Sequence, residues 1–246
     1  IRIDHVIGLF RLWWIPKGAA PTEGTYVRYD HEALIGIVAL EAYRSGAVVV
    51  GEDLGTVEPW AREYLAERGL LGTSILWFEL DRDGGGGPLP PRRWREQCLS
   101  SVTTHDLPPT AGYLAGEHVR IRQELGLLTR PADDEFADDR AEQSAWLAEL
   151  RAMGLLGEDP SVEEIVSALY AFLGRTPSRL LGLALPDAVG DVRSQNQPGT
   201  VDQYPNWRVK LAGPDGRELL VEDVFASPRA AALAAVMAAH VTPERE

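Results

Sequence analysis

The stretch "GAVVVGEDLG" (46–55) sets three consecutive valines between glycines and ends on two acids, Glu52 and Asp53. An unbroken β-branched run of this length suits a parallel strand buried on both faces. Such a strand needs parallel neighbours reached through helices, and the sequence offers them on both sides. Upstream, "IRIDHVIGL" (1–9) reads as a strand and its outgoing loop. Residues 31–45, "HEALIGIVALEAYRS", read as a helix with Leu34, Ile37, Val38 and Ala42 on one face. Downstream, "VEPWAREYLAERG" (57–69) reads as a helix ending at Gly69, and "GTSILWFEL" (72–80) as a third strand. "DRDGGGGPLPPRR" (81–93) is a loop with a Pro-rich exit, and "RRWREQ" (92–97) a short helix leading into a fourth strand, "CLSSVTTHD" (98–106). Residues 115–175 are helical and acidic, with Trp146, Leu150 and Met153 at helical spacing. "SRLLGLALPDAVG" (178–190) is a fifth strand, and "SQNQPGTVDQYPNWR" (194–208) a loop rich in turn residues. "SPRAAALAAVMAAHV" (227–241) closes the pattern as a helix capped by Ser227 with Pro228 at its first position. Repeated βα alternation predicts an α/β fold of parallel strands with helices outside. The 115–175 segment is too long for a simple βα loop and reads as a helical insertion on the strand-end face.

Composition narrows the class of ligand. The chain has 246 residues, 45% hydrophobic and 25% charged, enough apolar content to bury a core. A net charge of −13 repels nucleic acid and anionic membranes and leaves a neutral or cationic ligand. The single cysteine, Cys98, forms no internal disulfide, which fits a reducing, cytoplasmic setting. It reads as a buried structural thiol, with no activating base near it in sequence. No apolar run approaches the ~20 residues that span a bilayer.

The polar clusters fall directly after the strands. Asp4-His5 follows "IRI", Glu52-Asp53 follows "AVVVG", His105-Asp106 follows "SVTT", and Asp187 follows "LLGLALP". A single acid in such a place is commonly a helix cap or turn former. Several together match a parallel β/α barrel, whose catalytic groups project from the C-terminal ends of the strands. Asp4, Glu52 and Asp106 taken as a set suit glycoside chemistry, with one carboxylate as nucleophile, one as acid/base and a third holding sugar hydroxyls. Arg2 lies two residues before Asp4, on the same strand face, as a cation beside the nucleophile. A metal-dependent hydrolase using His5, His105 and carboxylates is the rival reading, although no paired-His motif such as HxH or HExxH occurs.

Among the tryptophans, Trp13 and Trp14 sit in the loop after the nucleophile, where their ring faces suit a glucan groove or plain packing. Trp207 reads as support for the "PNWR" turn, and Trp60, Trp77, Trp94 and Trp146 as core or helix-face residues. His31 and His240 fall in helices without an evident role. The acid run "DDEFADD" (133–139) reads as a solvated helix start, and "GGGG" carries no phosphate-loop Lys-Ser/Thr.

"RIDHVIGL", "GEDLG", "SVTTHDLPPT" and "NQPGTVDQYPNWR", in that order, closely resemble the 4-α-glucanotransferases called amylomaltases or disproportionating enzymes, retaining enzymes related to the α-amylases. The resemblance runs from residue 1 to about 240. "THDLPPT" carries two prolines after Leu107, where family members vary. The resemblance implies Asp4 as nucleophile, Arg2 as its arginine contact, Glu52 as acid/base, His105 on donor-site hydroxyls and Asp106 as transition-state stabiliser. It places Asn196, Pro198 and Gly199 on the acceptor side and requires no metal or organic cofactor; Trp13, by its place in the loop after Asp4, is the further candidate sugar contact.

The implied fold is a (β/α)8 TIM-type barrel whose nucleophile follows the fourth strand. This chain then supplies about the last five strands, as the C-terminal part of a longer enzyme. Residues 1–114 hold barrel strands four to seven, 115–178 the helical insertion, and 179–246 the last strand, the acceptor-side loop and the C-terminal helix. The missing N-terminal half of the same polypeptide is a necessary partner, since half a barrel exposes two sheet edges. The implied function is transfer of α-1,4-glucan segments between maltooligosaccharides by retaining double displacement, the chain being inactive alone. An α-glucan hydrolase of the α-amylase type and a non-catalytic glucan-binding fragment are the alternatives.

Overall fold

The computed structural model describes residues 1–240, so the last residue of the predicted C-terminal helix, Val241, lies outside the described residues. Strand β1 (Arg2–Ile3) runs into a 3-10 helix, Val6–Leu9, entered through His5 in the left-handed region (φ 45°). Next come β2 (Arg11–Trp14) and β3 (Thr25–Arg28), an antiparallel pair with Arg11 opposite Arg28 and Trp13 opposite Tyr26. This hairpin corrects the loop expected after Asp4. The short segments "RLWW" and "TYVR" carry no adjacent turn signal to join them, because ten residues separate the two strands.

Helix α1 (His31–Ser45) is capped by the Asp30 side chain, which accepts from Ala33 N at 3.1 Å, and ends at Gly46 with φ 65°. Its buried stripe matches the predicted one only at Val38 and Ala42. Ile35 is fully buried, and Val38, Ala39 and Ala42 pack beside it, while Ile37 is 60% exposed and Leu34 also faces out. The 3-10 helix presents Val6 to the same cluster, joined by Phe10, Val49, Ala61, Leu65 and Leu70. These partners determine which side of an almost uniformly apolar helix is covered.

The valine run yields a short strand, β4 (Val50–Gly51), parallel to β1, with a further parallel bridge from Val50 to Leu71. Helix α2 (Pro59–Glu67) follows, and Gly69 takes φ 73° beyond its end, as expected. Strand β5 (Gly72–Ile75) turns into a 3-10 helix at Leu76–Phe78. The short helix expected at 92–97 is only a 3-10 turn, Pro91–Arg93, since the chain is already extended at Trp94 (ψ 160°) and Gln97 O is taken up by Gly72 N at 2.9 Å. Strand β6 (Cys98–Ser101) begins at the buried Cys98.

Four helices follow: α3 (Thr110–Leu114), α4 (Glu117–Glu124), α5 (Ala132–Ala152) and α6 (Val162–Leu173). The last is capped by the reciprocal Ser161–Glu164 pair. The acid run at the start of α5 is partly engaged: Asp138 and Glu135 meet Arg130, and Asp139 lies 2.9 Å from His118. Trp146 and Leu150 are buried as their spacing predicts, with Trp146 edge-on to Trp77 and to Phe172. Trp60, by contrast, is half exposed on α2.

Strand β7 (Leu180–Gly182) completes a three-stranded sheet in the order β5-β6-β7, and the chain then turns helical in α7 (Leu185–Val189). Five strands were expected and are present, with the two hairpin strands in addition. Residues 194–208 hold no helix or strand, as predicted. Helices α8 (Val221–Ala226) and α9 (Pro228–Ala238) close the described chain, with Ser227 Oγ accepting from Ala230 N at 3.3 Å.

The chain is thus mixed α/β, in two compact units. The first comprises Ile1–Ser74, Arg95–Leu99 and Ser178–Leu180, and the second the other described residues. No helix among the described residues is long and apolar enough to cross a membrane.

Candidate active site

The first unit holds Arg2, Asp4, Trp13 and Glu52. Parallel pairing of β1 with β4 sets Ile3 opposite Gly51, so Asp4 and Glu52 leave adjacent strand ends. The backbone locks this register: Glu52 N donates to Ile3 O and Val6 N to Glu52 O, each at 2.9 Å. Gly51 makes the approach possible, because a Cβ there would lie 2.9 Å from the Val6 Cβ. The Glu52 carboxylate is almost fully buried. One oxygen accepts from His5 N at 3.0 Å, the other from Leu54 N at 2.6 Å. The left-handed backbone at His5 turns that amide onto Glu52.

Asp4 remains exposed, with Arg2 Nη1 2.8 Å from its Oδ1. The side-chain ion pair follows from their shared strand face. The His5 ring is mostly exposed, with Nδ1 3.3 Å from Glu52 Oε2 and Nε2 3.8 Å from Asp4 Oδ2. Asp4, His5 and Glu52 each offer one atom within 4.8 Å of the others. A carboxylate oxygen of Asp4 therefore lies within 4.8 Å of one of Glu52. In sequence His5 has a part only in the rival metal reading, whereas here its ring and its backbone N–H both lie against the carboxylate pair.

Asp53 turns away from this group into the interior. It accepts from Thr73 N at 2.8 Å and meets Arg95 Nη1 at 2.5 Å and Arg62 Nε at 3.3 Å. Arg95 also reaches the Thr73 carbonyl. These bonds tie β4 to β5 immediately behind Glu52.

In the second unit, His105 and Asp106 follow β6 after its ladder has ended, which lets adjacent side chains meet: His105 Nε2 lies 3.3 Å from Asp106 Oδ2. Asn196 Nδ2 donates to Asp106 Oδ1 at 2.6 Å, across 90 residues of sequence. The loop carrying Asn196 is fastened internally. Gln197 N donates to Asn206 Oδ1 at 2.8 Å, Asn206 Nδ2 to Thr200 Oγ1 at 2.8 Å, and Tyr204 OH to Ser194 O at 2.7 Å. Pro198 and Gly199 form its turn, Gly199 with φ 85°. Trp207 has φ 61° and sets its ring 5.1 Å from His105. A turn-supporting role was the expected one; the structure adds a direct contact with His105. A cavity of about 180 Å³ lined by Thr103, His105, Leu107, Pro186 and Gln195 lies beside the pair.

Asp187 does not join either group. The strand ends at Gly182, so Asp187 sits inside α7, where it accepts from Thr110 N and Oγ1 and from Tyr170 OH. Burial pushes its carboxyl above the ordinary range, against the downward pull of the Thr110 and Tyr170 bonds. It is a buried anchor between helices.

Paired carboxylates on neighbouring parallel strand ends, one exposed beside an arginine and one buried, are the arrangement in which β/α-barrel glycoside enzymes place their reacting acids. Residues 1–215 match the family described as 4-alpha-glucanotransferase, and the chain belongs to that family. Relatives described as 4-alpha-glucanotransferase, from Mycobacterium tuberculosis and Mycobacterium bovis, are 71% identical over 99% of this chain, which covers 34% of their length. The Haemophilus influenzae protein of that description is 32% identical over 87% of this chain and 32% of its own length. The chain therefore spans about a third of the curated relatives it matches. Among solved structures, amylomaltase from Corynebacterium glutamicum superposes with a TM-score of 0.92 at 44% identity, over 96% of this chain and 35% of that one. Amylomaltase from Streptococcus agalactiae in complex with acarbose shares the fold, with a TM-score of 0.64 at 18% identity over 97% of this chain and 41% of its own.

Proposed function

We propose that the polypeptide carrying this chain transfers α-1,4-glucan segments between maltooligosaccharides by double displacement with retention. The observation that carries the reading is the pairing of Asp4 with Glu52 on adjacent strand ends, one oxygen of each within 4.8 Å of the other, too close to leave room for a water between them. Retaining enzymes hold their carboxyl groups about 5–5.5 Å apart, whereas inverting ones need roughly 6.5–9.5 Å to admit a water. Asp4, solvent-accessible, attacks the anomeric carbon as the glycosidic C–O bond breaks, and Glu52 gives its proton to the leaving oxygen. Glu52 then takes the proton of an acceptor hydroxyl, whose oxygen displaces Asp4 from the anomeric carbon. Arg2 holds Asp4 in place. His105 contacts donor hydroxyls, Asp106 stabilises the positive charge of the transition state, and Asn196 orients Asp106 through their hydrogen bond. Pro198 and Gly199 shape the acceptor side, and Trp13 stacks on a sugar.

The fold assignment belongs to the same proposal. Strands β1, β4, β5, β6 and β7 act as the fourth to eighth strands of a (β/α)8 barrel, with 115–178 as an insertion, 179–246 as the closing segment, and the remaining strands supplied by the rest of the polypeptide. Parallel β1–β4 pairing through α1 supports this arrangement. Cytoplasmic action is also part of it, supported by a sequence with a single cysteine, Cys98, which leaves no pair for an internal disulfide.

Incubating the full-length polypeptide with maltotriose tests the reading. Glucose together with maltooligosaccharides longer than three units is the expected result. Only shorter products mark an α-glucan hydrolase, and binding without turnover marks a non-catalytic module. The proximity of Asp4, His5 and Glu52 favours one second reading, metal-dependent hydrolysis. Chelation separates the two: the glucanotransferase keeps its rate in EDTA, and the metal hydrolase loses it.

A further inference from the structure

The hairpin after Asp4 contains a glycine whose backbone does not require one. Gly24 has φ −78° and ψ 179°, a conformation open to any L-residue. Its surroundings do require it. A Cβ there would lie 2.4 Å from Trp13 Nε1, 2.6 Å from Trp13 Cε2 and 2.7 Å from the Trp14 carbonyl oxygen. The missing side chain is the slot into which the Trp13 indole fits.

Two further contacts fix the ring. Its single N–H donates to Pro21 O at 3.0 Å, and Tyr26, directly opposite in the ladder, stands edge-on at 5.0 Å and 74°. Tyr26 is itself backed by the Arg11 guanidinium, 4.1 Å from its ring centroid, which Glu58 holds at 2.9 Å. The indole is thus immobilised at its polar edge while 45% of the residue stays exposed. With the N–H engaged, the exposed ring offers a sugar its apolar face and no hydrogen bond.

We propose that Gly24 and Tyr26 are positioning residues that hold Trp13 as the stacking platform for the acceptor sugar, and so set the ratio of transfer to hydrolysis. This rests on the glucanotransferase reading above. A ring displaced from the slot binds the acceptor weakly, and water then competes for the glycosyl-enzyme. The platform sorts acceptors by ring face, leaving hydroxyl recognition to other groups.

The test uses the full-length enzyme with starch as donor and glucose as acceptor. In Gly24→Ala, KM for glucose rises about tenfold, the equivalent of one tenfold step in binding, and reducing-end release by hydrolysis increases. The turnover number at saturating glucose stays within about twofold, because the reacting carboxylates are untouched. Trp13→Ala sets the ceiling, and Trp13→Ala/Gly24→Ala raises KM no further. Tyr26→Leu, which introduces no clash at the turn, raises KM in the same direction and covers the case in which Gly24→Ala fails to fold. In 5-fluorotryptophan-labelled protein, the Trp13 resonance, identified by its loss in Trp13→Phe, shifts in Gly24→Ala. An unchanged resonance, an unchanged KM in both single variants, or a double variant with additive losses overturns the proposal. A wild-type enzyme that makes no longer oligosaccharides overturns the glucanotransferase reading instead, while the resonance still reports on the slot.

Discussion

Replacing Asp187 tests whether this acid anchors helices or belongs to the reactive set suggested by its position after a strand. Asp187, Thr110 and Tyr170 are each no more than 1% exposed. Asp187 Oδ1 accepts from Thr110 N at 2.6 Å, and Oδ2 accepts from Thr110 Oγ1 at 2.7 Å and Tyr170 OH at 2.9 Å. Tyr170 OH in turn accepts from Ala184 N at 3.0 Å. Asp187→Ala strands three donors, each costing about 1–3 kcal/mol when buried without a partner. Hydroxyl rotation and a water entering the vacated space recover part of this, so the expected loss is about 3–5 kcal/mol. Asp187→Asn keeps an acceptor for Thr110 N and turns an amide toward the two hydroxyls, which can accept, so its loss is about 1 kcal/mol.

Urea unfolding of the full-length protein, followed by tryptophan fluorescence, reads both values. The pH dependence gives a second sign to check. Burial raises the folded-state carboxyl above its ordinary 3.8. Its stabilising contribution is therefore complete below that value and is lost as pH rises through the folded value. The Asn variant does not titrate, so wild type loses ground to it as pH rises. An Ala variant within about 1 kcal/mol of wild type, the cost of one neutral hydrogen bond, refutes the anchor. So does a wild-type advantage over Asn that grows with pH.

Two further predictions concern the carboxylate pair. Asp4→Ala and Glu52→Gln each lower glucan transfer by the full-length enzyme by about 10²-fold or more, the usual loss for a positioned acid/base group. Mass spectrometry after a slow 2-fluoro glycosyl donor finds the adduct on the Asp4 peptide, and an adduct on the Glu52 peptide would reverse the two roles. Gly51→Ala forces a Cβ to 2.9 Å from Val6 and destabilises by about 1–3 kcal/mol. Thermal melts of Gly51→Ala, alone and with Val6→Ala, check this: relief by the second substitution is expected, and additive losses contradict it.

Much of the frame is legible locally. The valine run, the cap Ser227 and the helix end at Gly69 announce elements that the structure contains where expected. The order of acids after strands points to Asp4 and Glu52, because side-chain alternation and strand ends are properties of nearby residues. Arg2 beside Asp4 follows from the same two-residue period.

What sequence alone left open involves choices between locally equivalent arrangements. Helix α1 is apolar on more than one side, so its periodicity suits either the Leu34–Ile37 stripe or the Ile35–Ala39 stripe. The arrival of Val6 and Phe10 from a preceding segment, and of Val49, Ala61, Leu65 and Leu70 from following ones, selects the second. The Asp106–Asn196 bond and the His105–Trp207 contact join positions about a hundred residues apart, and no spacing rule reaches that far. Asp187 looked like Asp4 in sequence, an acid after an apolar run. Its role was decided by Thr110 and Tyr170, donors from two other helices. Nothing in the sequence singles out Gly24; its part is set by an indole eleven positions earlier that occupies its missing side chain. Local sequence determines which conformations a segment can adopt at low cost. Burial and hydrogen bonding to distant partners determine which of them is kept, because those energies exist only once the chain has closed on itself.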